Sequence, residues 1–280
     1  MIEIGKYNTL QISQETETGL LLKDNSGEEI VLPTKHCPKN FEIDDTLNVF
    51  VYLDYSEKKT ATTIKPKIKL YEFALLQVAA ITQVGAFLNW GLDKDLLAPF
   101  NEQKLEMLEG RWYVVYLDLD ENTNRLFASS KIDRQLQNIN IIVEKGDKVD
   151  IIIYQQTDLG YSVIINNEHK GLIYGNEIFT TINIGDKLTA YVKKVRDDNH
   201  IDISLQPIGY RNFNDNNSTL IYKKLVDNND FLPINDKSSP EEIKNMLGLS
   251  KKAFKKSIGA LYKDRIITIE EMGIRLVKKA

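Results

Sequence analysis

The side chains able to do covalent or metal chemistry are few and scattered. His36, His169 and His200 lie far apart with no ligand spacing between them, and Cys37 is the sole cysteine, so neither a zinc site nor an internal disulfide is indicated. No Walker loop, no Gly-x-Ser-x-Gly elbow and no dinucleotide fingerprint occurs. The acids Asp44-Asp45, Asp118, Asp120 and Asp197-Asp198 fall in polar segments of the kind that join strands, which makes a nuclease built from them the weaker reading. Cys37, beside Pro38, reads as a loop thiol rather than a nucleophile, since no other copy of the strand pattern keeps a base beside a thiol there. The expectation is a protein that is not an enzyme and that holds no metal and no cofactor.

Positive charge is instead concentrated at one end. Residues 238–280 carry ten Lys plus Arg against five acids, a local +5 that leaves −9 for the rest of a chain whose net charge is −4. Ser250 opens a helical pattern with Lys251, Lys252, Lys255 and Lys256 on its early turns, and Arg265 follows its end. Such a face can meet phosphate. Lysine is a point charge, and those turns hold no Arg, Asn or Gln to read base edges, so phosphate positioning is expected rather than sequence readout, and operator-specific DNA binding is disfavoured. A solvated helix face, or a surface for protein contacts alone, is the competing reading.

The elements that must position such residues emerge from an internal repeat. Gly19, Gly85 and Gly160 each open an apolar strand, at spacings of 66 and 75 residues, and each is followed by a short strand, an acidic or Gly-containing turn, a long β-rich run, a polar turn and a last strand. Five short strands per copy predict an antiparallel sheet that hides its edges by closing into an OB-type barrel. The expected fold is therefore mainly β: three tandem five-stranded barrels over 1–67, 68–133 and 144–209, then a separate unit over 218–280. A helical turn is expected within 133–137, and a linker in the Asn- and Asp-rich stretch from Gly209 to Asn217. In the last unit, helical registers at 219–226, after Ser239-Pro240-Glu241-Glu242 and after Ser250 precede β segments at 266–269 and 274–277, the order of a winged helix-turn-helix. The 42% apolar and 27% charged composition suits a soluble globular chain, no apolar run could span a bilayer, and the N-terminus lacks a secretory pattern, so a cytoplasmic location with no membrane partner is expected.

Around Val84-Gly85-Ala86-Phe87-Leu88-Asn89-Trp90 the second copy resembles an S1 RNA-binding domain, as does the third; the first is more weakly similar and has Leu20, Leu21 and Leu22 where aromatics would stand. The order of three such units and a winged helix, with the phrases Val84 to Leu97 and Leu159 to Asn166, resembles the bacterial conserved virulence factor B family over the whole chain. That resemblance implies an RNA-binding regulator of virulence without catalytic activity. It implies that Phe87, with Asp120 and Arg125 flanking the last turn, forms the second copy's RNA face, and that Tyr174 and His200 serve in the third, His200 standing in the place of Arg125. Tyr161 and Trp90 are further candidates; core or interdomain packing is the alternative for Phe87 and Trp90, and Trp112 is expected in a core. The sequence departs from the S1 pattern at Val84 and Ala98, where an aromatic and a histidine are common. Single-stranded RNA is the expected partner. The alternatives are a duplex-DNA regulator led by the winged helix, and an adaptor docking on the ribosome or an RNA-processing enzyme.

Overall fold

The computed structural model describes residues 1–178, 180–207 and 216–277. The linker expected from Gly209 onward falls largely outside the described residues, as do Lys278 and Lys279. The chain divides into two compact units, one ending at residue 208 and one beginning at 209.

The first unit contains three five-stranded sheets. Strands β1 (Tyr7–Thr16), β2 (Gly19–Lys23), β3 (Glu29–Pro33), β4 (Thr46–Leu53) and β5 (Lys59–Thr62) form a closed barrel in the order β1-β2-β3-β5-β4. The second sheet contains β6 (Phe73–Thr82), β7 (Gly85–Asn89), β8 (Leu96–Pro99), β9 (Trp112–Asp120) and β10 (Arg125–Ser129). The third, a closed barrel, contains β11 (Lys148–Thr157), β12 (Gly160–Ile165), β13 (His169–Tyr174), β14 (Lys187–Val195) and β15 (Ile201–Ser204). The repeat is exact in register. Thr16 faces Gly19, Thr82 faces Gly85 and Thr157 faces Gly160, and each first strand carries a bulge at the matching place, after Ile12, Val78 and Ile153. Such bulges sharpen the bend a small barrel needs. The repeated glycines have φ of +142°, +147° and +147°, and a Cβ there would lie 2.0–2.3 Å from the carbonyl oxygen of Leu32, Ala98 or Ile173, which is why each copy opens on glycine.

The second sheet departs from the expected closed barrel, for it runs β10-β9-β6-β7-β8 and its end strands exchange no ladder. In the third barrel β13 and β15 pair at Gly171↔Ile201 and Leu172↔Asp202; in the first, β3 and β5 pair only at Val31↔Thr60. The graded closure follows the side chains at the seam. Gly171 lets β13 lie close, since a Cβ there would be 2.9 Å from Ile203 and 3.2 Å from the Ile201 carbonyl. The matching residue is Ile30 in the first copy and Leu96 in the second, where Leu97 and Phe127 also stand in place of the first copy's Val31 and Thr60.

The three sheets share cores. Phe50 and Tyr52 of the first pack with Ile68 and the Trp90 ring of the second, at centroid distances of 5.9 and 6.2 Å. Phe73 and Val114 of the second meet Ile152, Tyr154 and Ile164 of the third across Ile132 and Leu136, the former in the single helical turn Ile132–Arg134. Trp112 is not the core residue expected: it is 52% exposed, because it sits at the end of β9 where the sheet's covered face runs out.

The second unit is a winged helix of α1 (Asn216–Asp227), β16 (Phe231–Leu232), α2 (Pro240–Leu247), α3 (Lys251–Lys263), β17 (Ile267–Glu270) and β18 (Gly273–Leu276). Ser239 and Glu242 form a reciprocal capping box around Pro240, and Gly248 ends α2 at φ +70°. Phe254, Ile258 and Leu261 of α3 pack on Ile221 and Leu225 of α1 and on Ile243 of α2. The two-residue β16, which pairs with β18, is too short to show an alternation in sequence.

Candidate nucleic-acid interface

On β7, Ala86 and Leu88 are buried, which turns Phe87 to the outer face. Opposite Phe87 lies Leu97 on β8, and across the unpaired seam β10 presents Arg125 and Phe127. A cleft of about 630 Å³ runs along this seam, lined by Phe87, Leu97, Leu126 and Phe127 with Lys94, Asp95, Asp120 and Arg125 around them. The four residues assigned to the second copy from sequence thus line one cleft, with unequal standing. Phe87 is half-buried and offers a ring to the cleft. Trp90 is only 3% exposed, and its indole N–H donates to the Lys94 carbonyl at 2.6 Å. It builds the wall and the seam to the first barrel, and a ring so enclosed cannot stack on a base. The Asp120 carboxylate accepts from the backbone N–H groups of Asn122 (2.9 Å) and Thr123 (3.4 Å), which hold it below the usual carboxylate range. Its task is to cap the turn that delivers Arg125. The Arg125 guanidinium donates to Glu57 Oε2 at 2.5 Å, so a residue of the first barrel completes the cleft.

The third barrel opens its own cleft, of about 690 Å³, at the matching place. There Ser162 stands for Phe87, Leu172 for Leu97, Tyr174 for Pro99, His200 for Arg125 and Asp202 for Phe127. Tyr174 and His200 both line it, as assigned from sequence. Tyr161 does not: it neighbours the outward Ser162 and therefore turns inward, packing against the barrel core. Arg196 donates to both carboxylate oxygens of Asp202, at 3.0 and 2.8 Å, and to the Tyr174 hydroxyl, with its guanidinium carbon 5.9 Å from the Tyr174 ring centre. The His200 imidazole, largely exposed, lies 3.2 Å from Asp198. Phe127, and in the third barrel's cleft Arg196 and the lining residue Lys170, were missed in the sequence. Phe127 was the one within reach, two residues after Arg125 and so on the same face of an alternating strand.

In the winged helix, Lys252, Lys255 and Lys256 are exposed on one face of α3, opposite the buried Phe254, Ser257, Ile258 and Leu261. Among the described residues none of the three is engaged by a carboxylate. Lys251 is half-buried, with its ammonium 3.5 Å from the Lys237 carbonyl. Arg265 is exposed just past the helix, at φ +55°.

Residues 4–64 match the S1 domain family model, and residues 219–276 match the model of the CvfB-like winged helix domain. Two proteins called conserved virulence factor B, from Staphylococcus epidermidis ATCC 12228 and Staphylococcus aureus USA300, are 26% and 25% identical to this chain, over 99% of it and 95% of each of them. Likeness to conserved virulence factor B runs the length of the chain. The S1 match falls on the first barrel, the copy with the weaker resemblance on its stacking residues; what it keeps is the frame of bulge, glycine and closing strands. A crystal structure of a multidomain protein with nucleic acid binding domains from Streptococcus pneumoniae is 24% identical, covers 98% of each chain and has a TM-score of 0.45. Among the described residues no helix is long and apolar enough to cross a membrane, and no group of His, Cys, Asp and Glu could hold a metal ion.

Proposed function

We infer that an S1 domain and a winged helix in one chain serve a nucleic-acid-binding role. We propose that the protein is a cytoplasmic post-transcriptional regulator that binds single-stranded RNA, taking unpaired bases in the clefts of the second and third barrels and phosphate on the lysines of α3. The observation that carries this reading is the recurrence, at the matching place of two barrels, of a cleft lined by an aromatic ring, Phe87 of β7 in one and Tyr174 of β13 in the other. Around the second cleft Lys94 and Arg125 are outnumbered by Glu57, Asp95, Glu102 and Asp120. Such a site favours the π-face of a base over the phosphate backbone, and the exposed lysines of α3 supply the attraction it lacks. No step of this reading calls for catalysis.

Anisotropy titrations of the full chain with unstructured RNA, at several salt concentrations and in competition with duplex DNA, test it. Binding should fall about tenfold or more in the Phe87→Ala plus Tyr174→Ala protein, each stacked ring being worth about 1–3 kcal/mol. Unchanged affinity both there and in a Lys252/Lys255/Lys256 charge reversal would defeat the proposal. Preference for the duplex would favour a DNA regulator, and no affinity for either nucleic acid would favour an adaptor.

A further inference from the structure

The first barrel lacks stacking residues, yet one of its turns completes the second barrel's cleft. The turn Asp54–Lys58 is tightly built: Asp54 Oδ1 accepts from the backbone N–H groups of Ser56 and Lys58, and Glu57 adopts φ +60°. It is strapped to the second barrel by Lys94, which donates to the Asp54 carbonyl at 2.7 Å, and by the Tyr55 hydroxyl, which donates to the Asp93 carbonyl at 2.6 Å. Glu57 is thereby presented to Arg125, the cationic side chain that β10 offers to the cleft. The contact is a single N–H to a single carboxylate oxygen, and it takes up a guanidinium donor that a phosphate oxygen would otherwise accept from. Both side chains remain half-exposed, at 50% and 58%, so water and salt reach the pair and a ligand can compete for it.

We propose that Glu57 is a specificity-determining residue of the second cleft: an internal phosphate mimic that keeps Arg125 from the RNA backbone and restricts the cleft to bases. This inference rests on the stacking reading above. It gives the first barrel a part in binding although it holds no base itself. In the natural protein part of the Arg125 donor capacity is held by the carboxylate, and removing Glu57 releases it.

The test uses the full chain and a short fluorescein-labelled unstructured RNA, titrated across a salt series. Glu57→Gln should bind about two- to fivefold more tightly at low salt, the range an exposed ion pair can return. The slope of log K against log salt should steepen by about 0.7, the signature of one further phosphate contact on a single strand. A loss of packing would not produce that steepening. Arg125→Gln should cancel the gain of the Glu57→Gln background and cost more there than it does in the natural protein, a coupling that a double-mutant cycle reads directly. Glu57→Ala, with Glu57→Asp as the rescue, repeats the comparison in a second side chain. If Phe87→Ala weakens binding while Glu57→Gln and Glu57→Ala alter neither affinity nor slope, the inference is overturned and the stacking reading stands. If Phe87→Ala has no effect, both fall.

Discussion

The clefts of the second and third barrels occupy the same place in the same five-strand frame, yet aromatic and aliphatic side chains meet at the seam of one and a hydrogen-bonded Tyr–Arg–Asp cluster stands at the seam of the other. Phe87, Leu97 and Phe127 line the second, where β8 and β10 fail to pair; Tyr174, Arg196 and Asp202 line the third, where Gly171 lets β13 and β15 close. A single frame thus yields two kinds of surface, and the seam residues choose between them. The second cleft also borrows from its neighbour, since Glu57 and Tyr52 come from the first barrel, whereas the third is lined from its own copy and the segment that precedes it.

Removing Trp90 breaks this contrast most severely. Trp90→Ala should cost about 3–5 kcal/mol of stability by emptying the shared core of the first two barrels, seen as a large drop in the denaturant midpoint of the first unit. Charge reversal of Lys252, Lys255 and Lys256 should leave the melting of both units in place while reducing the salt slope for RNA by about 2, the loss of three phosphate contacts. Phe87→Ala should weaken RNA binding by about 1–3 kcal/mol, and Tyr174→Ala by less, because Arg196 already holds the Tyr174 hydroxyl; equal losses would erase the distinction between the clefts. The smallest effect concerns Asp133, which joins Lys104 of the second barrel to Lys170 and Tyr154 of the third. Burial pushes its carboxyl up, but hydrogen bonds from Lys170, Lys104 and Tyr154 outweigh it and bring the pKa down to about 2. A depressed carboxylate stabilises the fold above its unfolded value, about 3.9, and that contribution is lost as pH falls toward 2. Acid unfolding of Asp133→Asn should accordingly be shallower between about pH 4 and 2 than that of the natural protein.

Much of the frame was legible because it is written in local chemistry. Glycines that must admit a carbonyl within 2.3 Å, the capping box at Ser239 and the glycine stop at Gly248 each leave a residue-level mark. Phe87 and Tyr174 line the clefts, while Tyr161, also a candidate from sequence, turns inward, since its side depends on register, and one residue of shift reverses the face. Trp90 and Trp112 show the same limit from the other side: both are large and apolar, and only their places in the assembled sheets, Trp90 in the core shared with the first barrel and Trp112 at the exposed end of β9, decide their burial.

By itself the sequence determined that three copies of one strand pattern and a basic helical unit follow one another, because periodicity, caps and turn residues act over a few neighbours. Tertiary structure alone decided that the second sheet stays open, that the barrels share cores, and that Glu57 reaches Arg125. Those outcomes depend on how side chains 68 residues apart fit against each other, and no short stretch of chain encodes that distance.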